Sequence, residues 1–175
     1  MSAVAGSERR ARAVLSFLAE PGEAALGALL KSCGPGEILD AVLSGKEPRA
    51  ALPAVGRDVP GLASAFGRWR ARAGRIPSPA RLEAWERRGM RLVCPGDPEW
   101  PTQLDVLGDA RPLMLWVQGS ADLRFACLRS VSVVGARAAT GYGQHVAIQM
   151  AAALAERGWA VVSGGTNSGS PGHCA

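Results

Sequence analysis

The chain has 175 residues, of which 47% are apolar and 20% charged, and its formal net charge is +5. This profile is typical of a soluble globular protein with one or two domains, and it excludes a disordered chain, a collagen-like polymer and a small disulfide-stapled scaffold. After Val162 the sequence has no further Val, Leu, Ile, Met or aromatic residue. The segments that can build a core therefore end before the last residues.

The first half predicts helices. Apolar residues recur at helical spacing in four segments, and Gly and Pro separate them. The four stripes are Val14, Leu15 and Leu18; Ala25, Leu26, Leu29 and Leu30; Ile38, Leu39, Val42 and Leu43; and Leu62, Phe66 and Trp69. We expect a small all-helical domain over residues 1–75, similar to SAM or helix-hairpin-helix domains.

Residues 74–80 are predicted to connect this domain to a second one over residues 76–175. Ser78 is placed to cap a helix that Pro79 opens and Gly89 ends. Two short apolar runs, Met90–Val93 and 113–117, then predict strands.

Arginine is concentrated around this connector. Residues 68–91 contain eight arginines against two glutamates: Arg68, Arg70, Arg72, Arg75, Arg81, Arg87, Arg88 and Arg91, with Glu83 and Glu86. Because a guanidinium binds phosphate through a planar fork of donors, the cluster is compatible with a nucleic-acid partner. A solvated arginine-rich helical face is the alternative, and composition alone favours it.

The third segment of interest, residues 130–165, predicts a strand–helix–strand unit. Val131, Val133 and Val134 are expected to form a buried strand, and residues 159–163 a second one. Val146 and Met150 lie on one face of the helix between them. This is the βαβ unit of a doubly wound parallel sheet, and its first loop lies at the positive end of the helix. The predicted fold class is therefore α/β, with a helical domain followed by the first part of an incomplete Rossmann-like domain.

The loop between strand and helix, residues 135–143, is rich in glycine. Gly135 permits a turn, Gly141 and Gly143 let the backbone approach an anion, Arg137 adds a charged fork and Thr140 a hydroxyl. The spacing is neither G-x-G-x-x-G nor a P-loop, so phosphate binding is better supported than dinucleotide binding. Glycines that merely turn the chain, with Arg137 paired to a carboxylate, are the alternative. Tyr142 could stack on a base or cover the loop.

Other chemistry has little support in the sequence. The four cysteines are too far apart for a metal or redox motif, so we expect reduced, partly buried thiols and no metal or cofactor. They are Cys33, Cys94, Cys127 and Cys174. His145 and His173 have no evident catalytic partners, and a metal site that includes either is the minor alternative. No apolar run is long enough to span a membrane, and charges near the N-terminus exclude a secretory signal, so a cytoplasmic protein is expected.

Several short motifs follow one another in a fixed order over about residues 81–165. Their residues are Gly89, Leu92-Val93, Asp97, Trp100-Pro101 with Leu104, Pro112 to Leu115, Gly119, Val134 to Arg137, Thr140 to Gly143, and Ser163-Gly164-Gly165. In this order the motifs resemble the DprA (Smf) family of DNA-processing proteins.

The resemblance implies a non-enzymatic protein of natural transformation and competence that binds single-stranded DNA, protects it and helps load RecA. It places the DNA-phosphate pocket at these residues: Gly135, Arg137, Thr140, Gly141, Tyr142, Gly143, Ser163 and Gly164. Residues 166–175 depart from the family pattern, which suggests a truncated or frameshifted product. In that case the family's homodimer surface would be missing and DNA binding impaired.

Two other functions stay open. One is a nucleotide-phosphate-binding enzyme on a Rossmann-like scaffold, which would need an acid or base near the loop. The other is a helical interaction module followed by a non-functional sheet remnant, in which the whole chain would not bind DNA.

Overall fold

The computed structural model describes residues 3–46, 52, 59–135 and 138–164 of the chain. Its contacts divide it into two compact units, unit 1 up to Ser120 and unit 2 from Ala121. The domain boundary expected after residue 75 falls inside unit 1. The division into compact units does not test it, so this boundary stays a prediction. The chain combines helices with short sheets, which confirms the α/β class.

Unit 1 begins with helices at the predicted places. They are α1 (Ala3–Leu18), α2 (Ala24–Leu29), α3 (Pro35–Leu43) and α4 (Leu62–Ala71). Pro35 occupies the first turn of α3, where its missing N–H leaves no donor unpaired. Gly61 precedes α4 with a φ of 71°, a left-handed conformation that favours glycine. The four helices confirm the apolar stripes and the breakers between them.

The helices surround one apolar core. Its largest fully buried side chains include Trp69 and Phe66 of α4, Leu15 and Leu18 of α1, and Ile38 of α3. Each lies on a predicted stripe, because the spacing of three or four residues brings apolar side chains to one face of a helix. Burial of these faces is the main contribution to the stability of the bundle.

The rest of unit 1 forms a helix and an antiparallel strand pair. It contains a 3-10 turn (Ala73–Arg75), α5 (Pro79–Arg87), β1 (Met90–Val93), a 3-10 segment (Thr102–Ala110) and β2 (Leu115–Gln118). Met90 pairs with Gln118 and Val93 with Leu115. The second strand starts two residues later than predicted. A small buried cluster of Ala13, Cys94 and Met114 ties α1 to this strand pair, so the compact unit continues past residue 75.

Ser78 stands at the N-cap of α5, as predicted, but its side chain makes no capping hydrogen bond. The backbone carbonyl of Ser78 instead accepts from Arg81 (2.9 Å) and Leu82 (3.2 Å). The predicted side-chain cap is therefore wrong, while the position of the helix start is right.

Unit 2 contains the predicted strand–helix–strand unit. Its elements are α6 (Leu123–Leu128), β3 (Ser130–Ser132), α7 (Gly141–Glu156) and β4 (Ala160–Val162). β3 and β4 are parallel, with Ser130 opposite Ala160 and Ser132 opposite Val162. A helix that crosses between two parallel strands confirms the βαβ arrangement.

The expectation of a buried first strand is wrong. β3 ends at Ser132, so Val133 and Val134 lie beyond it, and the side chain of Val134 is 87% exposed. No described residue of unit 2 is fully buried. Among the described residues β3 has a single neighbouring strand, and one neighbour with one helix gives too little contact to bury it.

Among the described helices, none has the length and apolar character that crossing a membrane requires.

Candidate anion-binding site

The two parallel strands of unit 2 end at the same edge. The register of β3 and β4 is extended by one bond, in which the Val133 N–H donates to the Val162 carbonyl at 2.8 Å. Gly135, two residues beyond Val133, and Gly164, two beyond Val162, therefore leave the sheet on one side. At the carboxyl edge of parallel strands, the connecting loops form the usual ligand crevice of α/β proteins.

Helix α7 begins at the loop that follows β3, and Thr140 caps it. The Thr140 hydroxyl oxygen accepts from the Gly143 N–H at 3.1 Å, and the Thr140 carbonyl accepts from Gln144 at 2.9 Å. The sequence predicts that this hydroxyl and the backbone N–H of Gly143 are both directed at an anion. The structure pairs the two with each other. The signal was present in the sequence, since a Thr directly before a helical stripe is a preferred N-cap.

The first turn of α7 still offers donors. The N–H groups of Gly141 and Tyr142 have no acceptor among the described residues. No acidic residue stands in that turn. Since the N-terminus of a 16-residue helix carries a partial positive charge, these two N–H groups are suited to an anion.

Neither close contacts with described residues nor the backbone conformation requires glycine at the three described glycine positions of the loop. A Cβ at Gly135 or Gly141 would have no described neighbour within 4 Å, and one at Gly143 would meet Thr140 Oγ1 at 3.5 Å and the Ala139 Cβ at 4.0 Å. None of the three has a positive φ. At Gly135 and Gly141 the described residues therefore leave space that a ligand could occupy.

The remaining predicted site residues are exposed or lie outside the described chain. Tyr142 is 79% exposed, and Ser163 and Gly164 are exposed after β4. Arg137 lies outside the described residues, and so does Gly165. The parts that the structure describes bring Gly135, the start of α7 and the residues after β4 to one edge, and the DNA-binding role of these residues stays a prediction.

In unit 1, half of the arginine cluster serves the fold. Each of these guanidiniums bonds to acceptors of unit 1: Arg68 to Glu23; Arg70 to the carbonyls of Ala41, Val42 and Lys46; Arg72 to Glu20 and the Leu18 carbonyl; and Arg91 to Glu99 and the Gly119 carbonyl. Their donors are engaged within the protein, so they are poorly placed to contact a polyanion.

The other half of the cluster is exposed. Arg75, Arg81, Arg87 and Arg88 have no hydrogen-bond acceptor or carboxylate partner within the described part of the chain. The guanidinium of Arg81 lies over the ring of Trp85, 5.4 Å from its centroid. The sequence could not separate these two halves, because both have the same composition.

The described cysteines are free thiols. Cys33 and Cys94 are buried and Cys127 is half-buried. Burial raises the pKa of all three thiols above the ordinary value, so they are protonated at neutral pH. Cys174 lies outside the described residues. Within the described ranges, no group of three His, Cys, Asp or Glu side chains is arranged to hold a metal ion.

The carboxylates of the family-like segment have structural partners. Asp97 binds Arg9 and accepts from the Cys94 N–H at 2.8 Å, while Asp105 accepts from the indole N–H of the buried Trp100 at 3.1 Å. Gly89 and Gly119 adopt positive φ values of 81° and 108° at the ends of the strand pair. These matching residues therefore shape unit 1.

Comparison with known proteins gives a consistent result. Residues 91–168 match the family described as DNA recombination-mediator protein A. Two curated relatives, both named "Putative DNA processing protein DprA", come from Mycobacterium tuberculosis strains CDC 1551 / Oshkosh and ATCC 25618 / H37Rv. Each is 43% identical over 166 residues, which cover 89% of this chain and 39% of the relative. No solved structure is a significant match.

The chain thus spans about two fifths of the length of these relatives. The family match contains the strand pair of unit 1 except its first residue, Met90, and the whole βαβ unit of unit 2, together with the loop and the start of α7. On this match and this identity, the chain belongs to the DprA family of DNA-processing proteins.

Proposed function

We propose that the chain binds single-stranded DNA through the carboxyl edge of unit 2. The observation that carries this proposal is the start of α7, where the Gly141 and Tyr142 N–H groups have no acceptor among the described residues and the Tyr142 side chain is exposed. Backbone N–H groups at a helix N-terminus bind phosphate, and an exposed aromatic ring offers a surface on which a base can stack. The family description as a recombination mediator supports DNA as the polyanion.

In this proposal the residues have separate tasks. The Gly141 and Tyr142 N–H groups bind a phosphate oxygen, and Arg137 supplies the positive charge that sequence and family resemblance assign to the loop. Gly135, Gly143, Ser163 and Gly164 let the strand approach closely, because they present little or no side chain. Thr140 fixes the direction of the donors by capping α7. We further propose that unit 2 is part of a Rossmann-like domain of the family type. The bound strand is shielded there from nucleases and is then passed to RecA, without a covalent reaction.

A salt-dependent titration tests the DNA contact. Labelled single-stranded DNA is titrated with the wild-type chain and with Arg137→Ala at several salt concentrations. Each phosphate contact on a single strand contributes about 0.7 to the slope of log K against log salt. We expect Arg137→Ala to lower this slope by about that amount and to weaken binding.

Arg157→Ala is the matched control. Arg157 is exposed at the opposite end of α7, where its guanidinium bonds to the Ala153 carbonyl. Arg157→Ala removes one positive charge, as Arg137→Ala does, but at the far end of α7 from the loop, and we expect wild-type affinity. Equal binding by wild type and Arg137→Ala would overturn the assignment of the loop. Competition by a mononucleotide as effective as the DNA strand would favour a nucleotide-binding site instead.

A further inference from the structure

Helix α5 of unit 1 presents two free arginines along one side. Arg81 and Trp85 lie on α5 at positions i and i+4, and Arg88, the C-cap residue directly after the helix, follows at i+7, so the three side chains continue one line. Arg81 and Arg88 are both exposed, and neither has a hydrogen-bond acceptor or carboxylate partner among the described residues. Two guanidiniums on one side without a described carboxylate partner are suited to an anion with more than one charged group.

The aromatic ring between them is held in place. Trp85 stacks on Phe17 of α1, with centroids 5.9 Å apart and 29° between the planes, and meets Trp116 of β2 edge-on at 5.5 Å. Arg81 lies over the Trp85 ring at 5.4 Å. Stacking on an aromatic face restricts the guanidinium while its N–H edge stays available to an acceptor. Arg81 is therefore pre-oriented for a phosphate.

The acidic residues of α5 lie away from this line. Glu83 and Glu86 are two and five residues beyond Arg81, which turns them about 200° and 140° around the helix. Glu83 is engaged with Arg10, at 3.4 Å. Glu86 lines a groove with Met90, Leu92 and other residues of unit 1. The carboxylates of α5 therefore do not neutralise the side that carries Arg81 and Arg88.

We propose that Arg81 and Arg88, which flank Trp85 on one side of α5, form a second phosphate contact for single-stranded DNA, located in unit 1. This inference rests on the proposed function, and it adds a contact surface outside the glycine-rich loop. A planar guanidinium is the preferred donor to phosphate. A rise of about 1.5 Å per residue places Arg81 and Arg88 about 10 Å apart along the helix axis, a spacing that suits a repeating polyanion better than a single small ion.

Single substitutions measure this contact. Binding of labelled single-stranded DNA to the full chain is followed against salt concentration for wild type, Arg81→Ala and Arg88→Ala. Each variant is expected to reduce the slope of log K against log salt by about 0.7, the value for one phosphate contact on a single strand. Each arginine variant is also expected to bind DNA more weakly at every salt concentration. If DNA binding changes the intrinsic tryptophan fluorescence of the wild type, we expect a smaller change in Trp85→Phe.

Arg87→Ala is the matched control. Arg87 is also exposed and is the last residue of α5, but six residues from Arg81 it is turned about 120° away from the line. We expect it to bind as wild type does. An equal loss in all three arginine variants would show a general charge effect and overturn the assignment to one face.

The outcomes separate this inference from the proposed function. If Arg137→Ala weakens binding while Arg81→Ala and Arg88→Ala bind as wild type does, the loop contact stands and the second contact is overturned. If Arg81→Ala and Arg88→Ala reduce the slope while Arg137→Ala does not, the second contact stands and the loop contact is overturned. If the wild-type chain does not bind single-stranded DNA at any salt concentration, both are overturned.

Discussion

Arg9 and Asp97 join the first helix to the segment after β1 through two parallel hydrogen bonds. Arg9 Nη1 donates to Asp97 Oδ2 at 2.9 Å and Arg9 Nη2 to Asp97 Oδ1 at 2.5 Å. The hydrogen bonds to Asp97 raise the pKa of Arg9 against the opposing effect of burial. Because bidentate arginine–carboxylate pairs are stronger than single ion pairs, this contact stabilises the docking of α1 on the strand pair.

A double-mutant cycle measures the pair. Asp97→Ala removes the acceptor of Arg9 and of the Cys94 N–H, and we expect a loss of about 1–2 kcal/mol in the free energy of unfolding. Arg9→Ala should cost less, and the double variant should cost less than the sum of the two. Urea unfolding followed by tryptophan fluorescence gives the three values. Strictly additive losses would show that the two side chains do not stabilise each other.

Two helical glycines in unit 1 have opposite environments. A Cβ at Gly27 of α2 would lie 1.9 Å from the Asp109 carbonyl oxygen, whereas one at Gly67 of α4 would meet nothing within 4 Å. Gly27→Ala therefore forces the 3-10 segment away from α2, and we expect a loss of about 1–3 kcal/mol, as for other overpacked sites.

Gly67→Ala is the control for that loss. Alanine has a higher helix propensity than glycine, so an exposed helical position without a clash should gain about 0.5–1 kcal/mol. Thermal unfolding of both variants gives the sign directly. A Gly27→Ala variant as stable as Gly67→Ala would mean that α2 does not approach Asp109 closely.

Much of the local structure could be predicted from the sequence. The stripe of Leu62, Phe66 and Trp69 identified α4, and Gly61 its start, because helical spacing and glycine conformation are local properties. The parallel unit of unit 2 followed from apolar strands on either side of an amphipathic helix. Burial did not follow, since the exposure of Val134 depends on how many strands lie beside it.

The partners of charged side chains could not be predicted. Arg70 and Arg81 belong to one sequence cluster. Arg70 donates to backbone carbonyls of α3 and of the segment that follows it, whereas Arg81 stacks on Trp85 and is exposed to solvent. The difference depends on which acceptors the tertiary fold brings near each guanidinium. The line of Arg81, Trp85 and Arg88 could have been predicted from their i, i+4, i+7 spacing, which begins in the helix that Pro79 opens. Counting the total charge of the cluster does not reveal this line.

Thr140 is expected to control the order of the first turn of α7. Thr140→Ala leaves the Gly143 N–H without its side-chain acceptor, and loss of such a cap costs about 1 kcal/mol. Hydrogen exchange of the Gly143 amide should become faster, while Thr140→Ser, which keeps the hydroxyl, should exchange as wild type does. If the donors at the start of α7 bind DNA, Thr140→Ala should also weaken binding. Unchanged exchange in Thr140→Ala would rule out the cap.

Glu23 makes the stability of unit 1 depend on pH. Its carboxylate accepts from the Trp69 indole N–H at 2.8 Å and from Arg68. Burial by itself would raise the pKa of Glu23, but the hydrogen bonds from Trp69 and Arg68 outweigh it, and the pKa is lowered. A carboxylate with a lowered pKa in the folded state contributes stability above its unfolded value, about 4.3, and this stability is lost as the pH falls below that value.

The test compares wild type with Glu23→Gln between pH 3 and pH 7, a range of about four units around the ordinary glutamate pKa. Gln keeps an acceptor for the Trp69 N–H but carries no charge for Arg68. We expect Glu23→Gln to be less stable than wild type at pH 7 and the difference to shrink as the pH falls below about 4.3, because wild type then becomes neutral at this position as well. A difference in the free energy of unfolding that stays constant over the range would show that the charge of Glu23 does not contribute, and that the variant acts through packing around Trp69.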